Sequence, residues 1–562
     1  MHKIELFKDY ENAKVVYADE YQKLNAARTF RYDSIGERDI EGIPICIKRG
    51  DDGHLYVTFI PDTHVLAIGS TRSGKTSGFV IPTMNVLLKK KNKPSLVVSD
   101  PKKELYVQNA AKFMSEGYRV ILLDFTDYKH SDCWNPLTKI YRGYQNYLHV
   151  EDTVELVETE NSPRNLFEGR IYEDQQELEL DIAEIKDGYL ADVDNKIMMT
   201  AMAIIPVKNE RDPFWESSAQ DLLRAILYGM LEDSESGGIT EDNFSLDTVI
   251  RLFDSFTDGL SDYDGGYFKR RDMAKSKALQ IAKKCVLEQA MNTRRSISSS
   301  FAAKISKFRD TCVSRITCTN SFEIGELDDD KPAVIFIAYR DEEGSNYEVI
   351  SMFLSDLYTG LIGVARAKGA RLDRPFYFLL DEFGNLPRFN DFDKVVSACG
   401  GRNIWLLPVL QSYAQLERVY GDATAKIIKD NLNAHIFFGT NNMDTKKEFS
   451  RECGQKTVLS PASALNGSGE SISHYAVDTV SLIPVSLLTH IPEGECIVTQ
   501  MREDVLWSRM ERYYNCPEFT GEEADPRMHA QKIRFSDPKY RYDPRCDDKK
   551  DDSDEDDEDF NF

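Results

Sequence analysis

No two of the ten cysteines in this 562-residue chain stand as a C-x-x-C pair. No secretory signal peptide opens it either, so reduced thiols in a cytoplasm are expected, and disulfides and a zinc site are argued against. Long hydrophobic runs are missing as well. None approaches the roughly 20 residues of a membrane helix, so any work at a membrane would need another chain to hold this one there. No internal repeat is evident. Positive charge is scarce overall, with 70 Lys and Arg against 94 Asp and Glu, a formal net of −24. As a sum this speaks against nucleic acid, but its distribution along the chain matters more.

Glu151 to Asn195 holds 15 acidic and 3 basic residues and Asp547 to Phe562 holds 10 and 2, which leaves the rest of the chain near neutral. The terminal run DDKKDDSDEDDEDFNF is expected to be disordered, because like charges repel and little can be buried. It reads either as a solubilising tail or as a docking strip for a basic partner or a secretion channel. Opposite in sign is Tyr267 to Arg309. There Lys269, Arg270, Arg271, Lys275, Lys277, Lys283, Lys284, Arg294, Arg295, Lys304, Lys307 and Arg309 face only Asp272 and Glu288, a net of +10. Ala278, Ile281, Ala282, Cys285 and Val286 recur at helical spacing, so amphipathic helices with basic outer faces are expected. Such faces suit phosphate contacts to DNA; a solvated face balanced by the acidic 151–195 segment is the competing reading.

The most informative stretch is Gly69-Ser70-Thr71-Arg72-Ser73-Gly74-Lys75-Thr76, where an apolar strand (His64 to Ile68) runs into a glycine loop that opens a helix. The G-x-x-x-x-G-K-[ST] pattern lets successive backbone N–H groups converge on a β-phosphate, and the helix N-terminus adds positive potential. Residues 69–77, including Ser77, are the expected nucleotide cradle. Lys75 would reach the β/γ-phosphates, and the Thr76 hydroxyl would join a Mg²⁺ shell.

Length suggests roughly two to four domains. Cys46 to Ile60 alternates about a Gly50–Gly53 turn as a hairpin. Strands are predicted at Ser95–Ser99 and Arg119–Phe125, with a helix over Lys103–Ser115 between them, which is the alternation of a parallel sheet with crossovers. Helical patterns dominate from about 136 to 330, at Phe214–Leu231, Ser245–Phe256, Met273–Ala290 and Ser296–Thr311. Strands resume at Ala333–Tyr339, Phe376–Leu380, Asn403–Val409, His435–Thr440 and Glu495–Met501. One α/β nucleotide domain split by a helical insertion follows. Ser460 to Ser471 reads as a flexible loop.

Hydrolysis needs a second, acidic motif. Phe376-Tyr377-Phe378-Leu379-Leu380 reads as a buried strand with Asp381 and Glu382 at its C-terminal end, where ligands bind in open α/β sheets. Asp381 would hold Mg²⁺ through water, and Glu382 is the natural general base for the attacking water. The next strand ends at Gln411, which can hydrogen-bond the γ-phosphate or that water. Arg402, on the Gly400-Gly401 turn, can project into a neighbouring subunit's nucleotide or contact its own domain's surface. Asp100, at the end of its own strand, would support the site from behind.

Taken together, GSTRSGKT, SDPKKELY, DPFWESSAQDLLRAIL (Asp212 to Leu227), LLDEFGNLP and GGRNIWLLPVLQSYAQLERVYG strongly resemble the conjugative type IV secretion coupling proteins of the TraG/TraD class, over residues 40 to 520. The resemblance implies a RecA-like P-loop domain (41–140 and 331–520) interrupted by an all-α insertion (141–330), flanked by an N-terminal segment (1–40) and a C-terminal extension (521–562). It implies an ATP- and Mg²⁺-dependent motor, assembling as a hexamer, that receives a relaxase–DNA complex and passes it to a secretion channel and its ATPase. The likeness is greatest to members from Gram-positive mobile elements. Most relatives carry N-terminal membrane helices, and Met1 to Arg38 holds none. Either the chain is truncated or a separate membrane subunit recruits it; the polar N-terminus favours the second, with the protein cytoplasmic and peripheral at the inner face of the membrane. An FtsK/helicase-like DNA translocase, or a nucleotide-switched adaptor with little hydrolysis, are the alternatives.

Overall fold

A computed structural model describes residues 14–157, 164–207, 212–257, 266–340, 347–389, 392–465, 471–529, 533, 537–540 and 542, with main chain alone for 256–257, 459–465, 471–478 and 538. The chain forms two compact units, Met1–Leu123 with Ile324–His529, and Asp124–Glu323 with Ala530–Phe562. The sequence reading set the borders of the insertion at 141 and 330; the units part earlier at both ends. Residues 521–529, read as part of a C-terminal extension, belong to the first unit. The acidic run from Asp547 lies outside the described residues.

The first unit is built on a ten-stranded sheet. Its strands lie in the order Val15–Tyr17, Val505–Arg509, Glu495–Gln500, Ala434–Phe437, Val65–Ile68, Ile404–Leu410, Phe376–Leu380, Ser95–Asp100, Ala333–Ala338 and Arg119–Asp124. The central strands pair in parallel, and Glu495–Gln500 runs antiparallel to both of its neighbours. Ser95–Asp100, Ala333–Ala338 and Phe376–Leu380 are buried at every position. That is why Ala333–Ala338 and Phe376–Leu380 read as continuous apolar runs and not as alternation: helices cover both faces of a parallel sheet. Phe79, Val80 and Met84 from the helix after the phosphate loop, and Tyr106 and Phe113 from Glu104–Ser115, join Val98, Phe336 and Leu379 in one core. Each such aromatic or aliphatic side chain contributes about 1.5–3 kcal/mol.

The helix after the loop runs from Thr76 to Lys89 and opens as a wide π-type turn, Thr76–Val80. Pro82 has no N–H to give the Gly78 carbonyl, and the register widens there, with Ile81 N–H bonding Thr76 instead. Tyr347–Ala367 is, among the described residues, the one helix long and apolar enough to cross a membrane. Its buried stripe, Val349, Ile350, Phe353, Leu354, Leu357 and Leu361, has the spacing of a core-facing helix.

The hairpin at Ile43–Arg49 and Leu55–Ile60 is present, and with Thr29–Arg31 it forms a separate three-stranded sheet. Two local readings are corrected. Ser460 to Ser471 is largely not a loop: Gln455–Leu465 and Ser471–Ser481 pair antiparallel over eleven residues each. Ser460, Ser463 and Ser471 are strand residues, and small side chains dilute the alternation there, as in Ser471-Ile472-Ser473; 466–470 lie outside the described residues. The expected helix from Met273 starts only at Lys277, where the Ser276 side chain accepts the Leu279 N–H as an N-cap.

The second unit is helical, with Thr138–Leu148, Gln175–Ile204, Phe214–Glu235, Leu246–Thr257 and Met291–Ile305 as its longer members. It adds a three-stranded antiparallel sheet, Glu155–Val157, Arg164–Phe167 and Arg170–Tyr172, to the all-α expectation.

Candidate active site

Val65–Ile68 is buried throughout and delivers the chain to Gly69 at the C-terminal edge of the sheet. The loop is anchored to two neighbouring strands' ends: Gly69 N–H donates to the Leu410 carbonyl at 2.9 Å and Ser70 N–H to that of Gly439 at 2.8 Å. A Cβ on Gly69 would lie 2.2 Å from Ser73 Oγ and 3.0 Å from Lys75 Cγ, so only glycine fits. Gly74 has φ +96°, and Arg72 takes the left-handed region at φ +65°. Thr71 and Arg72 are exposed, while Ser73, Thr76 and Ser77 are half-buried.

Lys75 is 4% exposed, and its ammonium donates to the carbonyls of Gly69 at 2.5 Å and Ser70 at 3.2 Å. Burial lowers its pKa, and the Glu382 and Asp381 carboxylates oppose that shift. Across from it, Asp381 Oδ2 accepts from Thr76 Oγ1 at 2.8 Å, and Oδ1 accepts the Glu382 N–H at 3.0 Å. Ser99 Oγ fixes the Asp381 carbonyl at 2.6 Å. Burial raises the Asp381 pKa, while the Thr76 hydroxyl and Lys75 hold its charged form. A buried carboxylate paired with a threonine hydroxyl, facing a glycine cradle, is an all-oxygen set that fits a divalent cation beside a phosphate.

Glu382 sits at φ +51° and presents its carboxylate to Gln411, whose Nε2 donates to Oε2 at 3.0 Å. The glutamine is itself held: its N–H donates to Gln415 Oε1 at 2.8 Å, and its carbonyl accepts from Thr440 Oγ1 at 2.9 Å. Lys75, Thr76, Asp381, Glu382 and Gln411 are thus brought together. Arg402 is not among them. It precedes the strand that ends near Gln411, so it lies at the opposite edge of the sheet, with Nη1 on the Ala398 carbonyl at 2.7 Å. Asp100 caps the Glu104–Ser115 helix through the Tyr106 N–H at 2.8 Å, and burial pushes its pKa up to about 7.

Gln415, Thr440 and Arg512 escaped the sequence reading. Arg512 donates to the Gly74 and Ser73 carbonyls of the loop. No motif marks it, because the contact spans 438 positions.

In the second unit the basic segment is partly neutralised. Arg270 and Arg271 pair with Asp233, Lys277 with Asp194, Lys283 with Glu288, Lys304 with Glu216 and Arg309 with Asp254. Arg294 donates to the carbonyls of Leu287 and Gln289, and Lys307 to that of Ile204. Lys269, Lys275, Lys284 and Arg295 are exposed, and no ion pair is found for them among the described residues.

The family model of type IV secretory system conjugative DNA transfer matches residues 17–536. Coupling protein TraD of Escherichia coli strain K12 is 23% identical over 309 residues, 53% of this chain and 40% of TraD. A conjugal transfer protein TraG of Escherichia coli is 21% identical over 418 residues, 73% of this chain and 58% of that protein. The chain thus spans about half the length of these curated relatives. Among solved structures, the plasmid coupling protein TrwB with the non-hydrolysable ATP analogue ADPNP has a TM-score of 0.58 at 14% identity, covering 89% of this chain and 94% of that one. TrwB with ADP and Mg²⁺ scores 0.56 at 14% identity, covering 91% and 97%. These likenesses show a common fold, and the match over residues 17–536 places the chain in the type IV secretory system conjugative DNA transfer family.

Proposed function

We propose that the chain is an ATP-driven coupling protein that recruits a relaxase–DNA substrate and delivers it to a type IV secretion channel. The observation that carries this reading is the hydrogen-bonded series joining phosphate loop to acidic motif, Thr76 to Asp381 and Gln411 to Glu382, in a member of that family. Bound Mg²⁺–ATP would supply the phosphoryl group and the metal's charge neutralisation. Around it, Thr76 and Asp381 would hold the metal, Lys75 would leave its two carbonyls for the phosphates, and Glu382 would take the proton of the attacking water while Gln411 keeps that carboxylate aimed. The active form in this reading is a hexamer, in which Arg402 completes a neighbouring protomer's site from the far edge of its own sheet. A separate membrane subunit would hold the ring at the inner face of the membrane. Lys269, Lys275, Lys284 and Arg295 are the cations best placed to meet DNA or relaxosome.

Steady-state ATP hydrolysis with and without single- and double-stranded DNA tests the reading. Turnover stimulated by DNA and abolished by Lys75→Ala and by Glu382→Gln is expected. ATP binding without turnover under any DNA condition would overturn the motor and favour an adaptor.

A further inference from the structure

Arg512 follows the strand Val505–Arg509 and is 5% exposed. Its Nη1 donates to the Gly74 carbonyl at 2.5 Å and its Nη2 to the Ser73 carbonyl at 2.9 Å, with Ser77 Oγ 3.4 Å from Nη1. Two missing side chains make room for the guanidinium. A Cβ on Gly74 would lie 1.2 Å from Nη1, and one on Gly78 would lie 2.8 Å from it. Nε is buried without a hydrogen-bond partner among the described residues, so the fork's bonding is directed at the loop. Burying a guanidinium is costly, and two carbonyls and a hydroxyl are what offset that cost here.

The geometry of the peptide group gives these hydrogen bonds a consequence. In a planar trans peptide, C=O and N–H point in opposite directions. Fixing the Ser73 carbonyl therefore turns the Gly74 N–H away from Arg512, and fixing the Gly74 carbonyl does the same for the Lys75 N–H. Both N–H groups belong to the set that would cradle a β-phosphate. The positive charge on the carbonyl side also polarises both peptides and strengthens their N–H groups as donors.

We propose that Arg512 is a positioning residue for the nucleotide, clamping the phosphate loop from behind so that the Gly74 and Lys75 N–H groups stand ready for the β-phosphate. This rests on the nucleotide function proposed above. Two variants separate it from a bracing role. Arg512→Lys keeps the charge but can satisfy only one carbonyl well. Gly78→Ala leaves Arg512 in the chain and crowds its guanidinium, at a helical position whose backbone alanine can adopt. The measurements are the Kd for ADP by calorimetry, KM and kcat for ATP, and the melting temperature without nucleotide. Both variants should weaken ADP by roughly tenfold and raise the KM for ATP more than they lower kcat, since the N–H groups grip the β-phosphate in both nucleotides. Folded variants that bind ADP as tightly as the parent overturn the proposal, whatever their melting temperatures. A parent that binds no ADP overturns the underlying function, and the proposal with it.

Discussion

The two units put their charged side chains to opposite uses. At the C-terminal edge of the large sheet, residues as far apart as Thr76 and Asp381, 305 positions, meet in short hydrogen bonds around a cradle. In the helical unit, a segment with a net of +10 by sequence ties Arg270, Arg271, Lys277, Lys304 and Arg309 to acids on neighbouring helices. Convergence makes a site, whereas pairing makes a framework. A charge count along the chain cannot tell one from the other.

The converged site is most sensitive at Glu382. Glu382→Gln should lower ATP turnover about 10²- to 10⁴-fold while ATP affinity stays at the parent value, as followed by phosphate release and equilibrium binding. Retained turnover would mean that the converged carboxylate is not the base. Gln411→Ala removes the amide from Glu382 Oε2; a fall of about ten- to a hundredfold in kcat is expected from the loss of one hydrogen bond to a charged group. In the helical unit, reversing Lys269, Lys275, Lys284 and Arg295 to Glu should weaken DNA binding and reduce its log–log salt slope by roughly 0.9 for each phosphate no longer neutralised. Replacing Arg270, Lys277, Lys304 and Arg309 by Ala should change that slope far less, and equal effects would erase the distinction between the two groups. The smallest effect is expected for Lys277→Ala alone. Its pair with Asp194 is nearly half exposed, so stability should fall by less than about 1 kcal/mol in thermal unfolding.

Much of the nucleotide unit was legible because its signals are local. The glycine loop needs particular backbone angles, and the Phe376–Leu380 run is apolar because the strand is buried on both faces. Gln411 was found by its place at a strand end, although its bond to Glu382 was not foreseen. What escaped notice depends on tertiary contact. Arg512 is a lone arginine until Gly74 and Gly78 open a slot for it. The 30-residue helix Gln175–Ile204 buries only Leu178, Val193, Ile197, Ala201 and Ile204, too sparse a stripe to show a helical period within an acidic stretch. The pairing of basic residues required knowing which helices pack side by side.

The short strand Val15–Tyr17 ends the large sheet, pairing in parallel with Val505–Arg509 over three residues. Through two antiparallel pairings it also runs parallel to Ala434–Phe437 and hence to Val65–Ile68, so its first residue lies at the edge opposite the phosphate loop. A tether joined ahead of Val15 would therefore pull on the back of the sheet. The force would enter the sheet through a ladder of three residue pairs loaded in shear.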